Sequence, residues 1–483
     1  MAAGRGEHVG ARVRAQGRGH DHERALTTFP ARARPRAGVS PHGHDNGRRR
    51  LTLACPYGVA VVFALLLSAG PVGAQADRGE TPGDAATRVT YRLNVNWLNA
   101  VRLSLPSEGE LNPDNARLSI PQLFGQTELR GNLRVEFGSR AQLIVRPRVR
   151  AFASRARSEG LADRDERDVE ADWTELYFSW MPVNAVSVTY GLQNFQWGPA
   201  ELLAPSNRVF HETGLFRDPI YYVPGRHLLR VNLSAGKQWS VVLLSELGAT
   251  AQEPFRAGET FARQALAKVE YTTESGGSYV GATAGGTQGE GPWFGGYGML
   301  GLTEGLSVYA DASTRRGSEA WYPVLAGVVP TFARSQEAGW RGLAVLGARY
   351  TFARGDDLRV EWLLDDAGWT REQFRLGLAA ASIAPSREAF APYLAPGLEF
   401  VGRQLVLLSL RTPDLPPSKH VQIQTRFLQS FTDTSRVLFA TGSYDASDAL
   451  VLFASGTVTG GPPEGEFSRL VRASLVVGAT YTW

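Results

Sequence analysis

From Arg88 onward the chain alternates apolar and polar residues with a period of two, in segment after segment, and the spacing of an amphipathic helix is scarce. Between 141 and 153, Leu143, Val145, Val149 and Ala151 stand on one face and Gln142, Arg146, Arg148 and Arg150 on the other. Leu129, Leu133, Val135 and Phe137 oppose Glu128, Arg130, Arg134 and Glu136 in the same way. Leu358, Val360, Trp362 and Leu364 oppose Arg359, Glu361 and Asp365. Strands of this kind carry two faces suited to different surroundings. The pattern predicts 18 of them, the first near 87–97, the fourth near 170–181, the fourteenth near 398–410 and the last near 468–483.

Connections after even-numbered segments are mostly short, as at 138–140, 182–183, 236, 303–304 and 354–355. Those after odd-numbered segments are mostly long, as at 98–122, 154–169, 197–225, 315–338 and 367–397. This predicts an all-β fold, a closed antiparallel transmembrane β-barrel of about 18 strands over 87–483 with both termini periplasmic. A secreted β-sandwich or β-helix also alternates, but has no reason to gather its long loops at one end. No run of 18 apolar residues offers a helical span instead.

Export fits the start of the chain. Arg48, Arg49 and Arg50 precede an apolar core from Val59 to Leu67 and a small-residue exit at Val72, Gly73 and Ala74, the order of a secretory signal over 48–74. Residues 1–47 read as a disordered leader or a mis-assigned start, and 75–86 as a short periplasmic segment. Cys55, the one cysteine, precedes the apolar core instead of following it, so a lipid anchor is not expected there.

The formal charge of +4 comes from 51 basic and 47 acidic residues, of which residues 1–74 hold 11 and four. The chain beyond residue 74 is therefore net negative, and nucleic acid is not an expected partner.

The closing segment places Val471, Ala473, Leu475, Val477, Ala479, Tyr481 and Trp483 on one face, and Arg472, Ser474, Gly478, Thr480 and Thr482 on the other. An alternating strand ending on an aromatic residue resembles the signature by which bacterial outer-membrane proteins are recognised by the barrel-assembly machinery. That resemblance makes Tyr481 and Trp483 the assembly signal, the cell outer membrane the location and its lipid a partner. Trp180, Trp239, Trp340, Trp362, Tyr481 and Trp483 are candidates for the aromatic girdles at the membrane interfaces.

Eighteen strands enclose a water-filled lumen, so a conduit for small polar or anionic solutes is the expected function. Glu128, Arg130, Arg134, Arg146, Arg148, Arg150, Arg359 and Glu361 are the expected pore lining. The long connection Pro199–Gly225 carries Glu201, Arg208, His211, Glu212, Arg217 and Asp218. In position it resembles the third loop of general porins, which folds inward and narrows the channel. Its acids would then face Arg146, Arg148 and Arg150. The alternative is a surface cap whose charges are solvated.

Gly191–Pro199, reading GLQNFQWGP, resembles a strand-to-loop segment of capsule-assembly surface lectins and alginate-export barrels. That likeness implies a surface polysaccharide as alternative ligand or cargo, with Trp197, Tyr221 and Tyr222 stacking on sugar rings. Beyond the leader there are three histidines, His211, His227 and His420, with no metal-ligand spacing on one element. No enzyme activity, metal or cofactor is expected. The glycine-rich run from Gly276 to Gly301 lacks the Lys-Ser/Thr ending of a phosphate loop and reads as strand positions where bulk is unwanted.

Overall fold

The computed structural model describes residues 89–157, 164–210, 220, 223, 225–248, 261–318, 320–335, 339–384 and 386–483. The leader and signal expected over 1–74, and the segment 75–86, lie outside them. In chain order the elements are β1 (Val89–Pro106), β2 (Leu123–Phe137), β3 (Ala141–Ala156), β4 (Arg164–Val183), β5 (Val186–Gln193) and β6 (Arg226–Ala235). Next come β7 (Trp239–Gly248), β8 (Gln264–Thr272), β9 (Tyr279–Thr287), β10 (Pro292–Gly301), β11 (Leu306–Arg316), β12 (Trp321–Ala326) and β13 (Val329–Arg334). After them come β14 (Trp340–Thr351), β15 (Asp357–Asp365), helices α1 (Arg371–Ser382) and α2 (Arg387–Leu394), and β16 (Gln404–Thr412). The chain ends with β17 (Val421–Ser430), β18 (Arg436–Asp445), β19 (Leu450–Gly460) and β20 (Val471–Thr482).

All of these strands except β12 and β13 form one 18-stranded antiparallel sheet in which β1 pairs with both β2 and β20. The barrel is closed. Its seam runs through Trp97 opposite Tyr481, Val101 opposite Val477 and Leu103 opposite Leu475. Closure leaves no strand edge unpaired, the condition for a sheet in hydrocarbon.

Alternation then sorts side chains between lumen and exterior. On β15, Glu361 is 0% exposed and faces inward, whereas its neighbour Trp362 is 43% exposed on the outer surface. Trp180, Trp239, Trp340, Tyr481 and Trp483 are likewise exposed on the outside, among Leu, Val and Phe. An apolar exterior around a polar lumen is the arrangement of a barrel that crosses a membrane.

Each of the 18 predicted segments overlaps a barrel strand, and three boundaries shift by six residues or more. β1 runs on to Pro106, because both β2 and β20 continue to pair with it through Leu103. β4 begins at Arg164, well before 170, and β16 at Gln404, after 398.

The long connections also hold structure of their own. β12 and β13 form a separate hairpin in the connection from β11 to β14. The connection from β15 to β16 holds α1 and α2. Thr370 caps α1, accepting from the Gln373 N–H while the Gln373 side chain accepts from the Thr370 N–H.

These pieces share a core. Leu111 and Leu118 from the β1–β2 connection pack with Trp369, Phe374, Phe390, Tyr393 and Val401, and with Tyr322 and Phe332 of the hairpin. Arg117 donates to the Ala384 carbonyl at 2.8 Å and lies over the Phe390 ring. The β1–β2 and β11–β14 connections are ten strands apart around the ring one way and eight the other. A core that joins them spans the mouth of the barrel at the long-loop end.

Candidate functional site

The connection between β5 and β6 leaves the rim and crosses the lumen. Glu361, inward on β15, accepts from the backbone N–H of Glu201 and of Leu202, each at 2.6 Å, and from the Tyr309 hydroxyl at 2.6 Å. Asp311, inward on β11, accepts from the Ser206 N–H at 2.7 Å. Glu201 itself accepts from Arg426 at 2.6 Å and from Gln424 and Ser409 at 3.1 Å, with Arg359 at 3.7 Å. A chain buried inside a barrel must satisfy its backbone donors, and charge-assisted bonds from wall carboxylates do so strongly.

Two glycines allow the approach. A side chain at Gly198, whose φ is +100°, would overlap the Asp311 carboxylate, and one at Gly295 would meet the Ser206 backbone at 2.9 Å.

Apolar contacts complete the seat. Ala200, Leu202 and Leu203 pack against Val345, Leu363, Leu405, Leu407 and Leu428, all inward-facing. Trp197, Val209 and Phe210 pack against Leu228, Leu244, Leu266, Trp293 and Tyr297. Ile220 rests on Leu98, Phe453 and Val476. Each large apolar side chain covered this way contributes roughly 1.5–3 kcal/mol. The lumen therefore carries apolar residues where the loop covers it, and the described loop packs on β6–β11, β14–β18 and the seam.

The wall it leaves is β2–β4, where every inward arginine singled out from the sequence has an acidic partner. Arg146 bonds Glu175 at 2.8 Å, Arg148 bonds Asp172 through two nitrogens at 2.6 and 3.0 Å, and Arg150 pairs with Glu170. Arg134 pairs with Glu136 at 2.8 Å, and Arg130 with Glu128.

For Glu201 the expectation that loop acids face Arg146, Arg148 and Arg150 is thus corrected, while Glu212 and Asp218 lie outside the described residues. The partners of these arginines come from the next strand, and Glu201 is held by β15–β17. A bulge makes the pairing possible. Arg146 lies opposite Glu175 but Pro147 opposite Trp173, so Thr174 is the extra residue, and its hydroxyl donates to the Arg146 carbonyl at 2.9 Å. Asp172 and Glu175 are an odd number of residues apart and would face opposite sides of a regular strand; the bulge turns both inward.

Similarity to solved structures follows this architecture. OccAB1 of Acinetobacter baumannii, an outer-membrane porin, superposes with a TM-score of 0.50 at 9% identity, over 82% of this chain and 96% of its own. The fold is that of an outer-membrane porin-like barrel. OccK7 and OprD of Pseudomonas aeruginosa give TM-scores of 0.47 and 0.45 at 11% and 8% identity, over 82% and 81% of this chain and 98% and 95% of theirs. No protein-family model and no curated protein matches the sequence.

Within this porin-like barrel, the loop roofs a polar cavity of about 650 Å³ lined by Glu201, Arg349, Asp357, Arg359, Arg411 and Arg426, at the short-turn end. Of the residues expected from the sequence, Arg359 and Glu201 line it, and the buried Glu361 holds the loop that roofs it. Asp311, Arg349, Asp357, Arg411 and Arg426 are not among the residues the sequence pattern singles out. Arg426 and Arg411 do sit on inward positions of alternating strands, and that alternation is the signal that could have found them.

The sugar-stacking expectation for Trp197 is corrected: its ring is 9% exposed, wedged between loop and wall beside Phe195. Arg208 lies on the described part of the loop. His211, Glu212, Arg217, Asp218, Tyr221 and Tyr222 lie outside the described residues.

Proposed function

We propose that the chain is an outer-membrane diffusion channel for small polar solutes that prefers anions, with its termini in the periplasm. The observation that carries this reading is the inward loop, which divides the lumen while leaving charged surface on both sides of the division. The cavity beneath it sets four arginines, Arg349, Arg359, Arg411 and Arg426, against two carboxylates, Glu201 and Asp357. A fixed field of that composition lowers the barrier for an anion and orients a dipolar solute.

On the same reading Tyr481 and Trp483, exposed at the end of β20, serve the barrel-assembly machinery as the recognition strand. The lumen chemistry is selection and passage, without catalysis. Purified protein in planar bilayers is expected to give discrete conductance steps, with a reversal potential in a KCl gradient on the anion side. A folded barrel that never conducts would overturn the channel; a cation-side potential would overturn the preference alone.

A further inference from the structure

Around most of the exterior the outward positions carry Leu, Val, Phe or Trp, but on β2–β4 at the long-loop end they shrink. Thr127 is outward, since its hydroxyl accepts from the exposed Trp97 indole at 2.9 Å. By alternation and register, Gly125, Ala151, Ala153, Arg167 and Val169 share that face, in the rows Thr127–Ala151–Val169 and Gly125–Ala153–Arg167. Together with the intervening Gln126, Phe152 and Asp168, these six line a shallow hollow of about 640 Å³, and a side chain at Gly125 would meet nothing within 4 Å. Leu123 and Val169, both exposed, stand at its borders.

Its height on the barrel comes from the strand geometry. Ala141 pairs with the girdle residue Trp180 at the short-turn end, and Ala151 is ten residues further along β3. At about 3.3 Å per residue and a tilt near 40°, that is about 25 Å, the height of the apolar band of such barrels. The lower row therefore lies at the outer edge of the hydrocarbon and the upper row, with Arg167, at headgroup level.

One row higher, Arg155 holds Asp165 through two nitrogens at 2.9 and 3.1 Å. Arg157 and Arg167 also lie within electrostatic reach of Asp165. An apolar trough below the Arg167 guanidinium matches an acyl chain below a phosphate.

We propose that this hollow binds a phosphorylated, multiply acylated glycolipid of the outer leaflet, one acyl chain lying over Gly125, Ala151 and Ala153 and a phosphate on Arg167. The trough crosses three strands, roughly 10 Å at the usual strand spacing, wide enough for adjacent chains of one lipid. This site is independent of the channel reading.

The test is native mass spectrometry of the full barrel released from micelles doped with diphosphorylated lipid A, its enzymatically dephosphorylated form, or phosphatidylglycerol. Bound diphosphorylated lipid A is expected to exceed both others, and Arg167→Gln and Ala153→Phe each to lower it about tenfold, the loss of one charge-assisted phosphate contact or of the trough. Heat-modifiable gel migration verifies that both variants are folded barrels, and Leu438→Phe, on the exterior of β18, controls for a change of bulk. Equal retention of the dephosphorylated form would overturn the phosphate contact. Equal retention of phosphatidylglycerol would overturn the glycolipid, and undiminished binding by Ala153→Phe would overturn the trough.

Discussion

The β2–β4 wall and the β11–β15 wall use inward carboxylates in opposite ways. On β4, Glu170, Asp172 and Glu175 are each matched by an arginine of β3, and together they form a fixed charged lining. On β11 and β15, Asp311 and Glu361 direct their oxygens to backbone N–H groups of a loop that starts on the far side of the barrel. One Asp311 oxygen is buried with no hydrogen-bond partner among the described residues. A carboxylate matched across strands is part of the pore surface, whereas one reserved for backbone donors is an anchor. The same residue type thus makes a lining in one sector and a fastening in the other, and the two should fail differently.

The largest failure is expected from inserting one alanine between Asp172 and Trp173. Alternation along β4 then shifts by one residue beyond the insertion and turns Asp172 and Glu170 toward lipid, at about 2–3 kcal/mol each. Assembly into heat-modifiable barrel in vivo should fall to near zero, whereas deletion of Thr174, the unpaired residue, leaves Asp172 and Glu175 two apart on one face and assembles. Normal assembly of the insertion would mean that the strand absorbs an extra residue without moving the lining.

Releasing the anchors should leave the barrel intact and change the pore. In Asp311→Ala/Glu361→Ala the loop loses three backbone bonds to wall carboxylates, each contributing about 1.5–3 kcal/mol, and keeps the bond from the Thr283 hydroxyl to the Ser206 carbonyl. Single-channel conductance is expected to rise at least twofold and to become noisy, with assembly unchanged. If conductance stays at the wild-type value, the apolar seat of Leu202 and Leu203 holds the loop without the carboxylates.

The lining itself can be probed with less disruption. Arg148→Ala removes both guanidinium bonds to the mostly buried Asp172, and removal of one member of such a pair costs about 3–5 kcal/mol. Ion selectivity should move toward cations while conductance changes by less than in the anchor variant. An unchanged reversal potential would place the conducting path away from β2–β4.

These expectations depend on features of unequal visibility in the sequence. All 18 barrel strands were legible because alternation is a local property that the lipid–lumen contrast imposes on every strand. The arginine column was legible for the same reason. Its acidic partners were obscured, since the bulge at Thr174 breaks the period where they occur.

Asp311 was not legible at all: it sits alone among Tyr309, Ser313 and small residues, and its significance comes from a loop about a hundred positions earlier. The cap was partly legible. Thr370 and Gln373 spell a capping box, and residues 321–334 alternate around Gly327, yet both lie in connections whose folding rests on one another's apolar residues. No local period reports that Leu111, Phe332 and Phe390 share a core.

The cap offers the smallest and most conditional effect. Glu466, in the connection from β19 to β20, accepts from the Val401 N–H at 2.5 Å and the Gly402 N–H at 3.0 Å, tying that connection to the one before β16. Burial, and then the nearby Asp433, push its carboxyl up to about 7 from an ordinary 4.5, against the opposing pull of those N–H groups and Arg469. A raised value means that the folded cap holds a proton the opened one releases. Cap stability is therefore greatest below about 4.5, declines as the pH rises to about 7, and is level above that. Hydrogen exchange at Val401 and Gly402, corrected for intrinsic rate, should accelerate between pH 5 and pH 7.5 in the wild type, with amides of β1–β4 unaffected. Glu466→Gln keeps the shape and removes the titration, so its protection should be flat over that range. A slope that persists in Glu466→Gln would show that Glu466 is not the group that titrates and leave it as a neutral tie between the two connections.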